Sequence, residues 1–156
     1  MRRYGIALIV FMFALGASIV VGEAAASASS SGKSPVSGLR HATRRFHNLD
    51  ATMASGRTDL HLCVNQMGEH FANQQTFSDG VLDPNNPEAM VYEHGKNGKL
   101  HLVAVEWVST TPGMVRGMPL HFNPAVNLWV LHAWVWKHNP AGMFADMNPN
   151  VGDCPA

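Results

Sequence analysis

The hydrophobic positions after residue 38 recur with the spacing of a helix. Five apolar residues follow one another at steps of three and four, which is typical of one face of an amphipathic helix. They are Leu39, Ala42, Phe46, Leu49 and Met53. Ser37 precedes this stripe and is a suitable N-cap, while Gly56 follows it and is a suitable terminating residue. The pattern predicts an N-terminal amphipathic helix whose apolar face packs on a core.

Three later segments are rich in β-branched and aromatic residues and predict strands. They are residues 88–93 (EAMVYE), 100–108 (LHLVAVEWV) and 129–137 (WVLHAWVWK). The first two flank a turn with Asn97 and Gly98, which is typical of a hairpin. Both faces of the last two segments are largely apolar, so we expect the sheet to be covered on both sides. Together with the helix, these strands predict an α+β domain in which the helix packs on an antiparallel β-sheet.

Two ionisable residues interrupt the apolar rows of these strands. Glu106 shares one strand face with Ala104 and Val108, and His132 shares one with Val130. Burying an ionisable group without a partner costs several kcal/mol, so each of them needs one. Two interpretations stay open. The two residues satisfy each other or a backbone group as a structural pair, or they line an internal polar pocket with other histidines.

The first residues of the chain have the pattern of a secretory signal peptide. Arg2 and Arg3 precede an apolar run over residues 4–21, and small residues with two A-x-A sites follow. An uncleaved anchor is the alternative, because the run approaches the ~20 residues that span a bilayer. We divide the chain into a signal peptide (1–28), a flexible leader (29–37) and a single domain (38–156). The mature protein is expected to be secreted or periplasmic.

Export bears on the two cysteines, Cys63 and Cys154, which are the only ones in the chain. Two thiols of one small domain usually pair in an oxidising compartment. Two free thiols, or a metal site that uses both, are the alternatives, but this long separation does not match a zinc-site spacing. We therefore predict a structural disulfide between Cys63 and Cys154.

The composition argues against several functions. The chain has 156 residues, 46% of them hydrophobic, which is enough for the core of one domain. Lys+Arg and Asp+Glu number 11 each, so the zero formal charge gives no electrostatic case for nucleic acid. No membrane partner is expected after signal cleavage. The predicted mature chain has no GxSxG, CxxC, P-loop or GxGxxG motif, so the sequence assigns no catalytic residue.

Several stretches together resemble a family of small exported bacterial proteins of unknown function. They are HATRRFHNLD, MGEHFAN, LDPNNPEAMVYE, GKLHLVAVEW, GMPLHF and LHAWVWKHNPAGMFADMNPNV. Members of that family share a helix that ends in an aromatic-His pair, followed by MGxHxxN, DPxxPExxxYE and LHxWxWxxNPxGxF segments and a final Cys. The resemblance covers residues 39–154 and implies no assigned activity. The polar residues that match its pattern are His47, His70, Glu106, His121 and His132.

These five residues form the candidate site of the sequence. Imidazoles with one carboxylate are a workable ligand set for a divalent metal ion such as Zn or Cu. We expect His70, Glu106 and His132, with His47 or His121 nearby, to converge between the helix and the sheet. Two hypotheses follow. The first is a non-catalytic binding or structural module that contains a buried His/Glu cluster, and the second is a secreted metal-binding protein, which could be a metal-dependent enzyme.

Overall fold

The computed structural model describes residues 36–155. The predicted signal peptide and all but the last two residues of the predicted leader lie outside this range. Within the described range, no helix has the length and apolar character needed to cross a membrane.

The N-terminal helical region consists of three short pieces instead of one helix. Helix α1 (Ser37–Thr43) continues into a 3-10 turn (Arg44–His47), and helix α2 (Leu49–Ala54) follows. Asn48 interrupts them, because its backbone is extended and its side chain accepts a hydrogen bond from the Asp50 N–H at 2.9 Å. An N-cap in the middle of the predicted helix therefore starts a new one.

This interruption changes which apolar side chains of the stripe are buried. Leu39 and Phe46 are buried as predicted, but Met53 is 48% exposed. The N-cap of α1 is Val36, one residue before the predicted position. The region turns away into the sheet at Gly56, whose φ of 87° is the left-handed conformation that glycine tolerates.

The main element is a six-stranded antiparallel sheet, with a separate two-stranded ribbon. In chain order the strands are β1 (Thr58–Val64), β2 (Gly68–Ala72), β3 (Ala89–His94), β4 (Leu100–Ser109), β5 (Met114–Val115), β6 (Met118–Pro119), β7 (His121–Asn123) and β8 (Leu128–Ala133). The large sheet has the order β1-β2-β3-β4-β8-β7, and β5 pairs with β6. The predicted hairpin is confirmed, since β3 and β4 pair across the turn that contains Asn97 and Gly98.

The prediction of an α+β domain is wrong, because the protein is mostly β. Strands β1 and β2 were not predicted from the sequence. In β1 the pairing register shifts between Asp59 and Cys63, and His61 has a φ of 50°, so the alternation of side chains is broken by a bulge. Strand β2 has only five residues and begins at a glycine, which is too short for a clear period.

The helical region covers one side of the sheet, which we call the helix face. Leu39 and Phe46 belong there to one buried cluster with Tyr92, Trp107 and Leu131 of the sheet. The Tyr92 hydroxyl donates a hydrogen bond to the Phe46 carbonyl at 2.7 Å. A buried hydroxyl needs such a partner, so this bond fixes the 3-10 turn on the sheet.

The C-terminal segment, residues 139–155, packs against the other side of the sheet, which we call the opposite face. Trp134 and Val151 lie in one buried cluster there. The backbone N–H of Trp134 donates to the Met143 carbonyl at 2.9 Å, and its indole Nε1–H donates to the Ala145 carbonyl at 2.6 Å. Both faces of the sheet are therefore covered, as the apolar strands predicted.

A disulfide ties the C-terminal segment to β1. Cys63 and Cys154 are bonded, with their Cα atoms 5.9 Å apart, so the predicted pairing is confirmed. The Cys154 N–H also donates to the Asn65 side-chain oxygen at 2.9 Å. A disulfide in a small domain is consistent with an oxidising compartment.

Glu88, directly before β3, makes the stability of this fold depend on pH. Its carboxylate accepts a hydrogen bond from the Val108 N–H at 3.0 Å, and burial raises its pKa from 4.5 to about 7. The folded protein therefore holds this proton more tightly than the unfolded chain does. Stability from this group falls as pH rises from about 4.5 to about 7.

We expect Glu88→Gln to stabilise the protein at pH 8 by about 3 kcal/mol and to leave it unchanged at pH 4.5. Glutamine keeps an oxygen for the Val108 N–H but carries no charge to bury. Urea unfolding at several pH values measures this effect. Asp153→Asn, at an exposed carboxyl, is the control and should show the wild-type pH profile. Parallel pH profiles for Glu88→Gln and wild type would contradict the prediction.

Candidate metal site

Three buried ionisable residues meet on the opposite face of the sheet. Glu106 on β4 lies opposite His132 on β8 and opposite Ala89 on β3. His70 on β2 lies opposite Val91 on β3. Alternation along the strands places all of these side chains on one face. Since β2 and β4 flank β3, the His70 ring extends across β3 towards Glu106.

The three side chains, which we call the His–Glu cluster (His70, Glu106 and His132), are in close contact. His132 Nε2 lies 3.3 Å from Glu106 Oε1, and His70 Nε2 lies 3.8 Å from Glu106 Oε2. One ligand atom from each of the three residues lies within 4.8 Å of the other two. The side chains of His70, Glu106 and His132 are only 5%, 8% and 2% exposed, respectively. The cluster therefore lies inside the protein, between two apolar groups of residues on this face.

Each histidine directs its Nε2 atom towards the Glu106 carboxylate. The Nδ1 atom of His70 lies 2.9 Å from the Leu62 carbonyl oxygen. A carbonyl can only accept, so this nitrogen carries the hydrogen and the Nε2 lone pair of a neutral His70 faces the carboxylate. The other His132 nitrogen, Nδ1, lies 3.7 Å from Asp146 Oδ1. A histidine that binds a metal through Nε2 usually donates its Nδ1–H to a carboxylate or carbonyl oxygen, as both rings are placed to do here.

His132 is the least satisfied polar side chain of the cluster. Among the described residues, neither of its two buried ring nitrogens has a hydrogen-bond partner. The Glu106 and Asp146 oxygens that flank them are ion-pair contacts at 3.3 and 3.7 Å. Burial lowers the pKa of His132, but these two carboxylates raise it by more, so its pKa lies above the ordinary value. A metal ion bound to His132 would supply the positive charge between these carboxylates in place of the ring proton.

The spacing of the cluster fits a small metal ion. A tetrahedral ion with bonds of about 2.1 Å separates neighbouring ligand atoms by about 3.4 Å. His132 Nε2 lies 3.3 Å from Glu106 Oε1 and His70 Nε2 lies 3.8 Å from Glu106 Oε2, so each oxygen of the carboxylate faces one ring at close to this length. One ligand atom from each of the three residues lies within 4.8 Å of the other two. Two imidazoles and one carboxylate also form a known ligand set of zinc and of non-haem iron.

His121, a predicted ligand, lies next to the cluster and not within it. Its Nε2 atom is 3.2 Å from Asp146 Oδ1, the oxygen that also faces His132. Contact with His132 lowers the pKa of Asp146, and His121 adds to this effect. No pattern in the sequence pointed to Asp146. It lies in a loop without periodicity, so only its position on the opposite face relates it to the cluster.

His47, another predicted ligand, lies elsewhere in the protein. Its exposed ring makes an edge-on contact with Trp136, with the ring centroids 4.4 Å apart. Partial burial, followed by the charge of His101, lowers its pKa. The expected position between the helix and the sheet is wrong as well, because the His–Glu cluster lies on the opposite face. The sequence separates the two faces of a strand but does not show which one the helix covers.

A second group with metal-ligating atoms lies near the disulfide. It consists of Cys63, Glu69 and His94. The Cys63 sulfur is bonded to Cys154 and is therefore no thiolate ligand. His94 Nε2 lies 3.4 Å from Glu69 Oε2, a contact that explains this pair without a metal.

Known proteins assign no role to this site. No family model matches the chain, and neither does any curated protein or solved structure. The resemblance to small exported bacterial proteins therefore stays a prediction. The function has to be argued from the residues of the site alone.

Proposed function

We propose that this protein is an exported, non-catalytic domain that binds one divalent metal ion through the His–Glu cluster, with Zn²⁺ as the first candidate. The observation that carries the proposal is the buried Nε2 atom of His132, which has no hydrogen-bond partner among the described residues. It points at the same carboxylate as the Nε2 atom of His70. Burying an unsatisfied nitrogen is costly, and a metal ion at this point would satisfy it.

The ligand types support a borderline metal ion over a hard one. Imidazole nitrogens suit Zn²⁺ and Cu²⁺, whereas Ca²⁺ and Mg²⁺ prefer sites made of oxygen atoms. Three protein ligands leave a fourth position of the ion open, as in catalytic zinc sites. The near-complete burial of all three side chains nevertheless supports a binding role over catalysis, because a substrate would have to reach that position inside the protein. The disulfide and the expected signal peptide support export.

A purely structural cluster is the second candidate. The pKa of His132 lies above its ordinary value, which favours a protonated His132 paired with Glu106 and Asp146. In that case the cluster needs no metal. Metal titration separates the two candidates.

The test is a titration of Zn²⁺ into untagged, chelator-stripped protein by isothermal calorimetry. We expect one ion per chain, and we expect the melting temperature to rise with Zn²⁺ because the ion binds the folded state only. Glu106→Gln keeps the shape of the side chain but removes its charge and one ligand oxygen. This variant should bind Zn²⁺ at least about tenfold more weakly, as losing even an outer partner of a ligand costs that much.

His138→Gln is the matched control, since His138 is exposed and lies outside the cluster. It should bind Zn²⁺ as the wild type does. If Zn²⁺ fails to bind, or binds wild type and Glu106→Gln equally, the metal site is refuted and the structural cluster remains. Folding of each variant is checked by its circular dichroism spectrum.

A further inference from the structure

A polar cavity of about 310 Å³ lies beside the helical region. It shares no lining residue with the His–Glu cluster. One wall comes from the helical region and the short segment before β1, and the other from residues 73–88, which connect β2 to β3. This connection is far longer than a usual hairpin loop, and such loops often carry function. The lining residues that matter here are Arg45, Arg57, Asp79, Asn86 and Glu88.

Two arginines bring positive charge together at this cavity. The guanidinium carbon of Arg45 lies 4.6 Å from the centre of the Phe46 ring, and that of Arg57 lies 4.9 Å from the same ring. Arg45 repels Arg57, while Glu88 in the same lining attracts it. An anion held by both guanidinium groups would add to this compensation, and guanidinium groups match a carboxylate well.

Arg57 has a donor to spare. The residue is only 3% exposed, and its Nη1 and Nη2 atoms donate to Ser55, Asn86 and the Pro87 carbonyl. Its buried Nε has no hydrogen-bond partner among the residues that the structure describes. Because such a donor is rarely left unpaired, it indicates an acceptor that the protein itself does not supply.

Three carboxyl groups line the same cavity, those of Asp79, Asp83 and Glu88. Glu88 is buried, and one of its oxygens is held by the Val108 N–H at 3.0 Å. Asp79 is close enough to raise the pKa of Glu88 further, after the larger effect of burial. The cavity therefore offers donors for an anion and carboxyl groups that can accept a hydrogen bond from the same ligand.

We propose that this cavity binds a small organic carboxylate that also carries a hydrogen-bond donor, as amino acids and hydroxy acids do. Arg57 and Arg45 hold the ligand carboxylate, and Glu88 accepts from its ammonium or hydroxyl group. The cavity volume lies at the lower end of the range for small-molecule sites, which fits a ligand of this size. The proposal is independent of the metal site.

The test compares three probes with one carbon skeleton, namely propionate, L-lactate and L-alanine, by NMR titration of the full mature protein. Propionate lacks the second polar group, so it should bind about tenfold more weakly than lactate or alanine, the effect of one hydrogen bond to a charged group. If L-lactate binds more tightly than L-alanine, the preferred class is hydroxy acids, and the reverse order indicates amino acids. Inorganic phosphate is the fourth probe.

Three variants locate the binding. Arg45→Gln removes an exposed charge and should weaken all three carboxylates by about tenfold. Glu88→Gln should reduce the preference for lactate and alanine over propionate. Arg44→Gln, at the exposed neighbour outside the cavity lining, and Glu106→Gln in the metal site should both leave binding unchanged.

Several outcomes overturn the proposal. One is the absence of binding by all three carboxylates at millimolar concentration, and another is tighter binding of phosphate than of lactate and alanine. Equal affinities in Arg45→Gln and wild type also refute it, provided that the variant keeps the wild-type circular dichroism spectrum.

Discussion

Replacing both Cys63 and Cys154 by serine should lower the free energy of unfolding by about 4–5 kcal/mol. The two residues are 91 positions apart, so the disulfide closes a long loop and removes much freedom from the unfolded chain. Stability differences of this size are a large part of the total for a small domain. Urea unfolding of the double variant and of the oxidised wild type measures the loss.

Reduced wild type is the matched control for this experiment. Its stability should equal that of the double serine variant, and the reductant should not change the variant itself. The C-terminal segment should also lose protection against amide exchange before the central strands do, because the bond holds this segment on β1. If oxidised wild type and the serine variant unfold at the same urea concentration, the disulfide does not support the fold.

Glu106→Ala should destabilise the metal-free protein by about 3–5 kcal/mol. The substitution leaves His70 and His132 buried without their carboxylate, and it opens a cavity between them. His132 then has to lose its proton or keep a charge that only the half-exposed Asp146 compensates. Chemical unfolding in the presence of a chelator measures this change without a contribution from bound metal.

Glu93→Ala is the matched control, because Glu93 on β3 is also paired, with Lys137 at 2.5 Å, but is partly exposed. Its loss should cost no more than about 1 kcal/mol, as for other exposed ion pairs. Equal losses for Glu106→Ala and Glu93→Ala would contradict the prediction.

A third variant shows whether the cluster exists for stability. Replacing His70, Glu106 and His132 together by leucine removes every charge at once. Apolar replacement of a buried ion cluster is often neutral or stabilising. We therefore expect the triple variant to be at least as stable as Glu106→Ala and to bind no Zn²⁺. If the triple variant is as stable as the wild type, the fold does not depend on the His–Glu cluster for its stability.

The local parts of the fold were predictable where one residue type decides the conformation. The hairpin at Asn97 and Gly98 and the disulfide follow from such residues, and both are present. The break in the helical region was not predictable from its apolar stripe. An asparagine such as Asn48 can lie in a helix interior or act as an N-cap, and the periodicity of the apolar residues does not distinguish the two positions.

The candidate site was predictable in part for a similar reason. Glu106 and His132 stand out because they are ionisable residues within apolar strands, and the structure brings them together with His70. His47 matched a pattern but lies at another surface. Asp146 had no signal in the sequence, since an acidic residue in a loop looks the same whether or not it faces a buried histidine.

The sequence by itself determined which side chains need partners, because the cost of burying a charge and the alternation of a strand are local properties. It also determined the pairing of the only two cysteines. Only the tertiary structure decided which residues are the partners of these side chains. His70 on β2 reaches Glu106 on β4 across β3, and this contact depends on the register of three strands. Register and the choice of covered face come from the packing of distant segments, and no short stretch of the chain contains that information.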